Sequence, residues 1–132
     1  MTDPFAAVRE FHERLGVPAP TVPALPGADR IALRVRLIRE EQAEFEAAAA
    51  GGDVPGAADA LADLVYVAVG AAIEFGVDLE PVFAAVHAAN LQKVGGGRRA
   101  DGKVQKPEGW RHPDIAGILR AQGWAEAQPP TP

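Results

Sequence analysis

The stretch from Ala28 to Ala50 reads as one long helix, and its charges limit what it can pack against. At ~100° per residue, Ile31, Leu33, Val35, Leu37, Ile38 and Phe45 define a broad apolar arc. The run Glu40-Glu41-Gln42-Ala43-Glu44 cuts into it. Glu41 projects between Leu37 and Phe45, Glu44 between Leu33 and Leu37, and Glu40 at the arc's edge. Three carboxylates thus lie on or beside the face that should enter a core, where a carboxylate is rare unless paired or bound to a cation. Arg36 and Arg39 point largely elsewhere, so a divalent metal is the economical compensator. The alternative is an ordinary solvated glutamate face.

The next helix weighs against that alternative. Gly51-Gly52 ends the first stretch, Asp53 caps a new helix with Pro55 in its first turn, and Gly76 stops it after Phe75. Residues 57–75 are apolar nearly all round, which suits the centre of a bundle or a subunit interface. With Asp59 and Asp63 in its first half, it reads as too polar and too short for a membrane span. The two aspartates stack on one face with no lysine or arginine between Asp53 and Phe75. The helix dipole accounts for Asp59 near the start but poorly for Asp63, a turn deeper. The short Gly-Gly turn makes the two helices antiparallel neighbours. Glu40, Glu41, Glu44, Asp59 and Asp63 then form a hard-ligand set that favours Mg²⁺ or Mn²⁺. Such ions neutralise phosphate oxygens and lower the pKa of an attacking water, and a spare carboxylate can take its proton.

The rest of the chain frames these helices. Asp3-Pro4 starts a first helix running to Leu15, on which His12 reads as a surface residue. Residues 17–27, with four prolines, form a stiff linker whose Val17, Val22 and Leu25 are expected to cover a core edge. Asp78 caps a fourth helix expected to continue through Asn90, Leu91 and Val94, with Lys93 one turn beyond Asn90 on the same side. Residues 98–112 are basic and turn-rich, and Pro113-Asp114 opens a last short helix from Ile115 to Gln122. The tail, 125–132, is expected to be disordered.

Composition narrows the partners. Acidic residues outnumber basic ones 18 to 13, for a net charge of -5, which argues against a nucleic-acid polymer or an anionic membrane. A single nucleotide bound through metal remains compatible. The absence of cysteine removes disulfides and thiolate zinc sites. No basic-then-apolar leader opens the sequence, so the expected setting is the cytoplasm.

The pattern Glu-Glu-x-x-Glu on one helix, an acidic pair on the next, then Asn90 and Lys93, resembles the all-α NTP pyrophosphohydrolase superfamily. That group includes MazG-like proteins, dimeric dUTPases and phosphoribosyl-ATP pyrophosphohydrolases. The runs Ala58-Asp59-Ala60-Leu61-Ala62-Asp63-Leu64-Val65-Tyr66 and Val86-His87-Ala88-Ala89-Asn90-Leu91-Gln92-Lys93 carry it most specifically, and Asp101-Gly102-Lys103-Val104-Gln105-Lys106-Pro107 is similar to MazG-like relatives. The resemblance implies a four-helix-bundle-like all-α fold, Mg²⁺, and hydrolysis of a nucleoside triphosphate to monophosphate and pyrophosphate. It implies Glu41, Glu44 and Asp63 as metal ligands, Glu40 as a further ligand or water-orienting group, and Asn90 and Lys93 as nucleotide contacts. The superfamily's second motif is usually Glu-x-x-Asp; here Ala60 precedes Asp63 by three, and Asp59 is the candidate replacement ligand.

The chain is therefore expected to be one all-α domain, dimeric or a dimer of dimers through its apolar third helix. Its substrates are expected to be non-standard or surplus pyrimidine dNTPs such as dUTP or dCTP, with a phosphoribosyl-ATP-type substrate as the alternative. Lys106 is expected to contact phosphate, with residues 98–111 folding over the triphosphate. Two other classes stand beside this. A di-iron bundle would need Glu-x-x-His pairs, which His12, His87 and His112 do not supply. A non-catalytic helical module would use its acids for solubility alone.

Overall fold

A computed structural model describes residues 1–126 and shows an all-α chain; the tail expected to be disordered lies, from 127 on, outside the described residues. Among the described residues five helices follow in order: α1 Pro4–Leu15, α2 Ala28–Ala50, α3 Val54–Glu74, α4 Leu79–Leu91 and α5 Ile115–Ala121. Aspartates start four of them. Asp3, Asp53, Asp78 and Asp114 accept from the backbone N–H of Phe5, Gly56, Glu80 and Gly117 at 2.9, 2.9, 3.3 and 3.0 Å. Each cap satisfies an N–H that the helix leaves without a partner.

The antiparallel hairpin of α2 and α3 is the main packing unit; α1 lies against α3, and α4 packs on α5 and α3. The core is small: Val8, Val69 and Ile73, with Phe5, Ala19 and Leu79 packed on it. Much of α3 and α4 stays uncovered, with Leu61, Val65, Tyr66, Phe83 and Leu91 all exposed. The expectation that α3 occupies a bundle centre thus holds for only one of its faces in a single chain.

Four expectations change. α3 is not too short or too polar for a membrane span: it has 21 residues, and an 18-residue stretch of it with mean hydropathy 1.6 meets that test by length and composition. Its charges discriminate instead, because Asp59 and Asp63 sit in its first half and Glu74 near its end is ion-paired inside the protein. His12 is buried, not a surface residue; its Nδ1 lies 3.0 Å from the Pro18 carbonyl, because the chain leaving α1 folds back over it. In the linker Pro23 is buried while Val22 and Leu25 are exposed. The Ala24 N–H donates to the Phe75 carbonyl at 2.9 Å, and Gly76, at φ 71, gives the close approach that any side chain would block against the Val22 carbonyl. Finally, α4 stops at Leu91 rather than Val94. Lys93 and Val94 donate to the carbonyls three residues back, Asn90 and Leu91, so Lys93 sits in a tighter turn off the helix.

Candidate metal centre

The hairpin brings together three of the five acids that the sequence singles out. One carboxylate oxygen from each of Glu41, Glu44 and Asp63 lies within 4.8 Å of the others. Glu41 and Asp63 are half-buried, whereas Glu44, expected to enter the core, is exposed. Glu40 and Asp59 are exposed and lie outside the trio. Asp59 shares the Asp63 face of α3 but stands a turn, ~6 Å, nearer its start, so its charge reaches the trio from outside.

The trio is electrostatically uncompensated. Glu41 Oε2 is buried with no hydrogen-bond partner. Burial, then the close approach of the Glu44 carboxylate, then the charges of Glu44, Asp63 and Asp59 push the Glu41 carboxyl above its ordinary pKa. Among the described residues no lysine or arginine forms an ion pair with the three. An orphaned buried carboxylate oxygen among crowded acids fits a hard divalent cation, and an all-oxygen donor set fits Mg²⁺ or Mn²⁺.

A second charged group fixes the hairpin, and it went unnoticed in the sequence. Glu74 has no exposed side-chain surface and accepts from Arg30 Nε at 2.6 Å and from Arg34 Nε. Burial alone would raise its pKa, but the two guanidinium hydrogen bonds outweigh that and hold it below the ordinary value. Gly70 makes room: a methyl there would stand 2.7 Å from Arg34 Nη1 and 3.2 Å from His12 Nε2. Arg30 and Arg34 precede Glu41 and Glu44 by about three helical turns, and Glu74 follows Asp63 by the same length, roughly 16 Å. One antiparallel register therefore satisfies both the ion pairs and the acidic trio. The signal was available: Arg34, between Leu33 and Val35, and Glu74, between Ile73 and Phe75, are charges in apolar settings, as Glu41 is.

Asn90, Lys93 and Lys106 do meet, but elsewhere. With Lys103, Trp110 and His112 they line a cavity of about 430 Å³ that none of the three carboxylates lines. The basic segment folds back on α4, where the Trp110 indole N–H donates to the Ala89 carbonyl at 2.7 Å.

Fold and site together define a class: an all-α protein with a carboxylate centre on an antiparallel helical hairpin, suited to a divalent cation. The phosphoribosyl-ATP pyrophosphohydrolase family model matches residues 8–90, more than half of the chain and both acidic helices. The chain belongs to that family, within the MazG-like all-α superfamily that its motifs resemble. It is thus a nucleotide pyrophosphohydrolase, a hydrolase of acid anhydrides acting on a nucleotide-like substrate. No curated protein matches the chain.

Proposed function

We propose that this chain cleaves the α–β anhydride bond of phosphoribosyl-ATP, or of a closely similar nucleoside triphosphate, releasing pyrophosphate with Mg²⁺ or Mn²⁺ as cofactor. The observation that carries this is the orphaned Glu41 oxygen within the Glu41–Glu44–Asp63 trio, on the hairpin that the family model spans. The three carboxylates would hold the metal. Bound there, it would supply charge neutralisation for the phosphate oxygens and acidify water. Glu40, exposed and next to Glu41 in sequence, would orient water or accept its proton, with Asp59 adding negative charge from outside the trio. Asn90, Lys93 and Lys106 contact the substrate.

A second reading keeps pyrimidine dNTPs such as dUTP or dCTP as substrates. The MazG-like segment around Asp101-Gly102-Lys103 favours it, since that segment lies beyond the matched residues. A panel of phosphoribosyl-ATP, dUTP, dCTP and ATP with Mg²⁺, scored for pyrophosphate against orthophosphate, separates the readings. Pyrophosphate from phosphoribosyl-ATP at the highest kcat/KM supports the first; orthophosphate, or no product from any of them, refutes both.

The whole chain forms one domain on this account and assembles at least as a dimer through the uncovered apolar face of α3, where Leu61, Val65 and Tyr66 are exposed. Light scattering showing a monomer at micromolar concentration would refute that assembly.

A further inference from the structure

The cavity between α4 and the basic segment is built differently from the carboxylate centre. Lys93, Lys103 and Lys106 line it together with Asn90 and His112, and among the described residues no carboxylate does. Among the described residues no acid pairs with any of the three lysines, whereas Arg99 of the same segment is held by Asp101 at 2.8 Å. The segment thus neutralises an arginine at its edge and leaves its lysines unpaired around the cavity.

Trp110 organises the cations. Its ring carries Lys93 Nζ at 5.0 Å and Lys106 Nζ at 4.7 Å from the centroid. Its own N–H is spent on the Ala89 carbonyl, and His112 packs edge-on at 4.7 Å, so the ring cannot turn freely. Cation–π attraction offsets part of the repulsion between the two ammonium groups and holds them at one aromatic face. Converging amines with an amide and an imidazole, and no competing acid, suit a compact phosphate dianion.

We propose that this cavity is a phosphomonoester subsite, taking a phosphate of the substrate that is remote from the scissile anhydride. The inference rests on the phosphoribosyl-ATP reading above, since that substrate carries a phosphorylated ribose besides its triphosphate. The triphosphate belongs with the metal at Glu41, Glu44 and Asp63, none of which borders this cavity. A simple dNTP has nothing to place here. The subsite therefore selects between the two substrate classes, and it does so with Lys93, Lys103, Lys106 and Trp110, all beyond the residues that the family model matches.

The test is a calorimetric titration of metal-free full-length protein, in chelator, with ribose 5-phosphate and with unphosphorylated ribose. Ribose 5-phosphate binds and ribose does not. The double variant Lys103→Gln/Lys106→Gln, checked for a native circular-dichroism spectrum, loses about tenfold or more in affinity. Asp63→Asn, which damages only the metal centre, binds as wild type does. In steady state the double variant raises KM for phosphoribosyl-ATP about tenfold while leaving the inhibition constant of Mg²⁺–ATP unchanged. No binding of ribose 5-phosphate, or undiminished binding in the double variant, overturns the subsite. So does an equal loss for ATP, which would place the triphosphate in the cavity. Failure of wild type to hydrolyse phosphoribosyl-ATP would instead strike the substrate reading, and the ribose 5-phosphate titration would still decide the cavity.

Discussion

Replacing Glu74 by glutamine should cost more stability than any other single change that leaves side-chain size nearly untouched. Glu74 is fully buried and answers two guanidinium groups, of which Arg34 is itself buried and Arg30 is one-third exposed. Glutamine keeps one acceptor oxygen but leaves the Arg34 charge inside the protein without a counter-charge. Breaking a buried pair from one side costs about 3–5 kcal/mol, and the surviving hydrogen bond places this variant near the lower value. An unfolding entropy of about 2 cal/mol/K per residue makes each kcal/mol worth roughly 3–4 °C in a chain of this length, so Tm should fall by about 10 °C. The sign with pH follows from the depressed carboxyl. Its stabilisation is fully present above the unfolded pKa, ~4.3, and is lost as pH falls through the lower folded value, so the two proteins converge in acid. Thermal melts at one protein concentration measure this. A second melt, of Glu74→Met combined with Arg34→Met, should lose less than Glu74→Met alone, because the pair leaves no buried uncompensated charge on α2 beside the core. A fall below ~3 °C for Glu74→Gln, or a double variant worse than the single, would refute the claim that these charges hold the hairpin in register.

Glu41→Gln and Glu44→Gln should each reduce pyrophosphate release by ~10²-fold or more while circular dichroism shows the fold intact, since each removes a charge from the proposed ligand set. Because the Glu41 pKa is raised, protons compete with metal above the ordinary carboxylate range; Mg²⁺ affinity should fall as pH drops through that raised value, and Glu41→Gln should flatten the dependence. Without metal Glu41→Gln should melt higher than wild type at neutral pH, because it removes one of the crowded charges. Ala60→Glu would restore an acid on the buried face one turn before Asp63, and calorimetry should then show tighter or more numerous Mg²⁺ binding; unchanged binding with an intact fold would mean that position 60 does not face the centre.

The helices were legible because their punctuation is local. Asp-Pro at α1, Gly-Gly-Asp before α3 and Asp78 before α4 set boundaries that the structure reproduces. The acidic centre was legible because charges on an apolar arc need an answer, and the hairpin turn brings Asp63 opposite Glu41. What escaped depends on where the chain travels between helices. His12 is buried between Gly70 of α3 and the proline linker that doubles back over α1, a path that side-chain spacing does not record. Asp59 stays outside the trio because it lies a turn nearer the start of α3 than Asp63, on the same face. α4 stops short of Val94 because the chain tightens after Leu91, yet Lys93 still lines one cavity with Asn90. The docking of the basic segment on α4 through Trp110 is set by the tertiary fold and by no local spacing.

Mn²⁺ binding followed by electron paramagnetic resonance tests the central claim most directly, because it reads the ion at the carboxylates without requiring a known substrate. Wild type should bind Mn²⁺; Glu41→Gln, Glu44→Gln and Asp63→Asn should each lose that binding, while Asp59→Asn retains it. Asp63→Asn binding Mn²⁺ as wild type does, in a protein with an unchanged melting profile, would contradict the account.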